Sequence, residues 1–203
     1  MSENAWKPAD PVPLGIAGFA LTTFILGLVN VGVLGNADTF IVLSVAAAYG
    51  GLVQLLAGMW AFAERNTFAA VAFSSYGGFW ISFVLLIQFF LPEAAKSGIT
   101  TADHGLGIYL FCWGYFTFYM WIASFRTNVA LNFVFLTLWI AYLILGLVEF
   151  NIGGPNLHKA GGAVTALCAV AAWYVSVAHV LNAYMGRTVV PLGPLTRITV
   201  PAQ

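Results

Sequence analysis

The chain has 203 residues, 61% of them hydrophobic, with seven Lys and Arg set against seven Asp and Glu for a formal net charge of zero. That balance excludes a basic footprint for nucleic acid, and so much apolar surface excludes an ordinary soluble globular domain. The charges fall almost entirely between six long apolar stretches, the placement a bilayer enforces, since a charge at its centre costs about 2.5–3.5 kcal/mol even on the mildest scale.

A bilayer core about 30 Å thick takes about 20 helical residues. On that measure the predicted spans are Pro13–Leu34, Thr39–Ala63, Phe68–Leu91, Gly105–Phe125, Asn128–Val148 and Ala160–Tyr184. The expected fold is therefore an all-α membrane protein, six transmembrane helices in one bundle. It divides into an N-terminal segment 1–12, a membrane domain 13–184 and a tail 185–203.

In chain order, Met1–Asp10 is polar and shows no basic region leading to a cleavage site, so no cleaved signal peptide is expected. Pro11 and Pro13 mark the first helix start, Asp38 the second and Asn128 the fifth. The longest connection, Pro92–His104, carries Pro92, Gly98 and mixed charge. Beyond Gly186, Pro191, Pro194 and Pro201 predict an extended, solvent-exposed tail. With the N-terminus inside, the inner side holds Lys7, Arg65, Arg126, Arg187 and Arg197, and the outer side only Lys96 and Lys159. That bias favours both termini in the cytoplasm.

Polar side chains at membrane depth need partners or water. The first span carries Thr22, Thr23 and Asn30, the second Gln54, and the third Ser74, Ser75 and Tyr76; Thr117, Asn132, Thr137, Thr165 and Ser176 follow. A hydroxyl is usually satisfied by its own helix, whereas the amides of Asn30 and Gln54 divide evenly between facing a pore and bonding a neighbour. Glycines such as Gly15, Gly18, Gly27, Gly50 and Gly58 let helices approach closely. Ionisable groups are few: Glu149 closes the fifth span, His158 stands just before the sixth, His179 lies towards its inner end, and His104 is in an outer connection. Cys112 and Cys168 have neither a CxxC partner nor a His at ligand spacing and read as packing residues. No paired intramembrane His suits haem, no mid-span Lys suits retinal and no His or carboxylate cluster suits a metal. No enzyme, cofactor or metal is expected, which leaves permeation or a structural role.

The run Asp10-Pro11-Val12-Pro13-Leu14-Gly15-Ile16-Ala17-Gly18-Phe19 resembles the Asn-Pro-Ala-Pro-Leu-Gly signature of the acetate uptake transporters, the YaaH-like succinate–acetate permeases and their fungal relatives. The resemblance continues, in order, through Asn30-Val31-Gly32, Tyr49-Gly50-Gly51 with Gln54, Ser75-Tyr76-Gly77 with Phe79-Trp80, Asn132-Phe133-Val134-Phe135 and Gly186-Arg187-Thr188. Asp10 and Val12 depart from it, replacing Asn and Ala. The resemblance implies a homohexamer with a pore in each protomer and both ends cytoplasmic. It also implies an apolar constriction at Phe19, Tyr76 and Leu138, with Ala172 at a position that affects which acids pass.

A bare carboxylate in low dielectric is costly, so it must keep hydrogen-bond partners or be protonated. Hydroxyls and amides replace water without trapping an anion. Thr22, Thr23, Asn30, Gln54, Ser75 and Tyr76 are the candidate donors, and the helix start around Leu14 and Gly15 offers backbone amides at the inner mouth. The reading is a channel or transporter in the cell (inner) membrane for acetate and similar small monocarboxylates, with succinate as a larger acid. Anion conduction and proton-linked symport, with His158, His179 or Glu149 as candidate carriers, both remain open. The alternative is a hexameric channel for small neutral solutes such as urea or amides.

Overall fold

The computed structural model describes residues 8–99 and 103–195. Lys7 and Arg197, which enter the orientation argument, and the ends of both terminal segments lie outside them. Among the described residues, six helices are long and apolar enough to cross a bilayer. They are α1 Val12–Val31, α2 Thr39–Ala63, α3 Thr67–Lys96, α4 Asp103–Ser124, α5 Val129–Glu149 and α6 Gly154–Met185. The all-helical, six-span expectation is met.

Local chemistry sets the boundaries. Asn66 and Asn128 cap α3 and α5 by accepting from the amides of Ala69 at 3.1 Å and Leu131 at 2.8 Å. The Asp38 carboxylate turns instead to the Gly35 amide at 2.8 Å, so it closes the preceding turn rather than capping α2. The sixth helix starts six residues before the predicted Ala160, because Gly153 takes φ +80° and Pro155 follows in the first turn. His158 and Lys159 are therefore helical. The connection after α3 is likewise shortened, since Leu91–Lys96 continues as helix.

α1 packs closely along α6. A Cβ on Gly162 would lie 2.6 Å from the Val31 nitrogen, and one on Gly27 would lie 2.7 Å from the Ala166 nitrogen. Only glycine allows this approach. Within α2, residues Ala46–Val53 wind as a π-helix. Its loosened turn brings the Val45 carbonyl to 3.5 Å from the Thr22 hydroxyl. Around α3 and α4 an aromatic core forms: Tyr76 meets Phe116 edge-on at 5.2 Å, and Phe79 meets Trp113 at 5.3 Å. Cys168 is fully buried with its thiol 3.3 Å from the Val134 carbonyl, while Cys112 is exposed.

The described part of the tail, 186–195, is extended and largely exposed, as expected, but it also docks against the start of α5. The carbonyls of Gly193 and Leu192 accept from the Val129 and Ala130 amides at 2.8 and 3.1 Å. Those are first-turn N–H groups of α5, which have no partner within their own helix. Asn182 fixes the same segment by accepting from the amides of Val189 and Val190 and donating to the Val190 carbonyl.

Candidate functional site

The bundle ends bearing the described termini are the same. Asp10, just before α1, sits 3.1 Å from the Nδ1 of His179 near the end of α6. From this terminus side a cavity of about 200 Å³ runs inward between α1, α2, α3 and α5. Val12, Asn66, Asn128 and His179 stand in its outer wall, and Gln54, Phe19, Tyr76 and Leu138 line it more deeply. From the opposite side a cavity of about 230 Å³ runs inward past Thr39, Glu149, His158 and Asn30 to Thr23 and Trp80. Phe19 and Leu138 are the two residues that border both cavities. The divider between the two spaces is thus apolar and one side chain thick from each of α1 and α5.

Helix order explains why walls without Lys or Arg still suit an anion. The odd-numbered helices begin on the terminus side, and the cavity there is bordered by Val12, Asn66 and Asn128, at the starts of α1, α3 and α5. The opposite cavity is bordered by Thr39, the first residue of α2, and by His158, the fifth residue of α6. Helix N-termini carry about half a positive charge each. No Lys or Arg lines either cavity among the described residues.

The predicted site residues divide by placement. Phe19, Thr23, Asn30, Gln54, Tyr76 and Leu138 border a cavity. The Thr22 hydroxyl donates to the Gly18 carbonyl at 3.0 Å within α1 and borders neither. Leu14 points outward, 48% exposed. Gly15 backs onto the ring of Phe73, where a Cβ would lie at 2.7 Å. Ser75 is half-buried outside both cavities, and Ala172 is fully buried behind them. Tyr76 borders the cavity while its hydroxyl pairs with Thr117 Oγ1 at 2.9 Å. Gln54 is 1% exposed, and its Oε1 lacks a hydrogen-bond partner. The Asn132 amide is satisfied by Trp121 and Ser124 of α4.

At the terminus-side mouth, burial opposes ionisation of Asp10. The hydrogen bonds from His179 and from the Val12 amide at 2.9 Å outweigh that cost and hold its carboxyl below the usual carboxylate value. Its Oδ1 already satisfies the first free amide of α1. Asn66, Thr127 and Asn128 also border this mouth and were not predicted as site residues. An Asn ahead of an apolar run signals a cap; that the same side chain borders a cavity depends on how three helices meet.

Residues 2–197 match the GPR1/FUN34/yaaH family. The chain is 41% identical over 202 residues to "Acetate permease A" of Emericella nidulans, covering 94% of this chain and 68% of that protein. It is 37% identical over 189 residues to "Succinate-acetate/proton symporter SatP" of Escherichia coli, covering 92% and 96% respectively. A solved structure described as the bacterial acetate channel SatP superposes with a TM-score of 0.83 at 36% identity, covering 92% of this chain and all of that one. Motifs, six-helix architecture and these similarities agree that the chain belongs to the GPR1/FUN34/yaaH family.

Proposed function

We propose that this chain is a multi-pass channel or transporter of the cell (inner) membrane that passes acetate and similar small monocarboxylates, with succinate as a larger substrate. Each protomer of a homohexamer carries its own pathway, and both termini face the cytoplasm. The observation that carries this reading is the pair of cavities entering from opposite ends and meeting at Phe19 and Leu138. A narrow apolar divider disfavours hydrated inorganic ions while admitting a molecule with one methyl end. Helix N-termini, Asn66, Asn128 and Thr23 supply partial positive charge and hydrogen bonds without a fixed cation that would hold the anion in place. The names of the relatives point to the same substrate class.

The test is uptake of labelled acetate by proteoliposomes, with protein-free vesicles as background and unlabelled formate, succinate and urea as competitors. Saturable uptake displaced by small acids supports the reading. Walls without Lys or Arg also suit a small neutral solute, and displacement by urea but not by formate would establish that second reading instead.

A further inference from the structure

The sixth helix is longer than the one it packs beside, with 32 residues in α6 against 21 in α5. Gly186, at φ +62°, ends α6, and the chain then turns back along that helix. Asn182 holds Val189 and Val190, accepting from their amides at 2.7 and 2.9 Å and donating to the Val190 carbonyl at 2.8 Å. About two turns back along α6, the Tyr174 hydroxyl donates to the Pro191 carbonyl. Past Pro191 the tail crosses to the start of α5. Leu192 packs against the buried core. Gly193 takes φ +68°, and a Cβ there would lie 3.2 Å from that of Val129. The tail then brackets Asn128 on both sides. The Val129 amide donates to the Gly193 carbonyl at 2.8 Å, and the Leu195 amide donates to the Thr127 carbonyl at 3.2 Å. Asn128 and Pro194 form an antiparallel bridge pair.

The residues held in this way belong to the terminus-side mouth. Thr127 and Asn128 border that cavity, whereas no described tail residue does. The tail therefore leaves the passage clear and acts through what it holds. The same two residues are anchored from the other direction. The Asn128 side-chain oxygen accepts from the Leu131 amide at 2.8 Å, and Thr127 Oγ1 donates to the Ser124 carbonyl at 2.7 Å. Fixed between two helices and a docked strand, neither residue keeps the mobility usual in a short connection. We infer that the tail 189–195 positions Thr127 and Asn128 to receive the acid at the terminus-side mouth, with Asn182 as the latch that keeps the tail docked. This rests on the acid-transport reading and adds to it positioning residues that border neither cavity. It also gives the Gly186-Arg187-Thr188 motif a task, since the left-handed turn at Gly186 sends the chain back along α6. Pro191 and Pro194 stiffen the tail, lower the entropy lost on docking and carry no amide that docking could leave unpaired. Contacts made at the mouth act on capture and not on passage of the Phe19–Leu138 divider, so misplacing them raises the half-saturation and spares the limiting rate.

The test compares the wild type, Asn182→Ala, Gly193→Ala and Asn182→Asp in proteoliposomes matched for monodisperse protein. Acetate uptake is measured over a range of concentrations, and residue-resolved hydrogen exchange follows the start of α5. Asn182→Ala removes the latch, and Gly193→Ala strains the tail where φ is positive. In both, the half-saturation for acetate should rise at least about threefold while the limiting rate stays within about twofold. Exchange at the Leu131 amide, whose partner is the Asn128 side chain, should quicken at least about threefold together with that at Val129 and Ala130. Asn182→Asp keeps an acceptor for the Val189 and Val190 amides and should hold both readouts within about twofold of the wild type. An unchanged half-saturation in both alanine variants overturns the inference, even where exchange at Val129 and Ala130 quickens, and so does a fall in the limiting rate alone. Either result leaves acetate transport in place. Absence of saturable wild-type uptake removes the transport reading, and with it the receiving role of Thr127 and Asn128.

Discussion

Phe19→Ala removes half of the divider. Phe19 is 5% exposed, its ring centroid lies 5.9 Å from that of Tyr76, and it borders both cavities. With the ring gone, the spaces of about 200 and 230 Å³ join beside Leu138. In the wild type, forcing an extra methylene through a close-packed gap costs about 1–3 kcal/mol, a factor of about 5 to 150 in rate. In the variant that penalty disappears, and each methylene instead gains up to about 0.8 kcal/mol of apolar contact. Butyrate flux relative to acetate flux should therefore rise at least about tenfold. Burial of a Phe is worth about 3–5 kcal/mol; because this ring already faces cavity on two sides, the expected stability loss is at the lower end, about 3 kcal/mol. The assay is paired uptake of labelled acetate and butyrate in proteoliposomes matched for monodisperse protein. A folded variant with the wild-type butyrate-to-acetate ratio would refute the placement of Phe19 at the limiting point.

Other substitutions separate the remaining roles. Tyr76→Phe deletes the bond to Thr117, whose hydroxyl still donates to the Trp113 carbonyl at 2.8 Å; it should cost about 0.5–1.5 kcal/mol of stability and leave acetate flux within twofold, as uptake and thermal melts will show. Asp10→Asn keeps a capping oxygen but removes a negative charge from the mouth. A unit charge about 7 Å away in a water-like dielectric is worth about 0.6 kcal/mol, so half-saturation from the terminus side should improve about threefold. Because the Asp10 carboxyl is held below its ordinary value, its contribution to the contact with His179 is complete above about pH 4 and is lost as pH falls through the lowered value; the protonation of Asp10, followed by infrared absorption, should show its midpoint below 3.8. Asn182→Ala breaks three hydrogen bonds to the tail and should speed hydrogen exchange at the Val129 and Ala130 amides at least tenfold.

The fold was legible because a bilayer imposes one rule on every residue at once. Stretches without charge must be helices of fixed length, and the span Thr39–Ala63 was readable to the residue. Ends were harder. The start of α6 lay in Gly153 and Pro155, ahead of a charged Lys159 that hydropathy alone reads as outside the membrane. The tail looked free because its prolines forbid helix, but its carbonyls serve the unpaired amides of α5, a long-range match that composition does not encode. The same limit applies at the site. Thr22 and Thr23 are equivalent in sequence, yet a rotation of about 100° between neighbouring helical residues turns one to its own helix and the Val45 carbonyl and the other to a cavity. Phe19 and Leu138 are ordinary apolar span residues until two helices bring them together, so the family resemblance, not periodicity, singled them out.

The most direct test of the account is thiol blockade at the divider. Leu138→Cys, in a Cys112→Ser background that removes the exposed native thiol, is labelled with a small membrane-impermeant disulfide-forming reagent while acetate uptake is followed. The account predicts that stoichiometric labelling stops uptake, that acetate slows the labelling, and that reduction restores flux. Full labelling of Leu138→Cys with undiminished acetate uptake would contradict it.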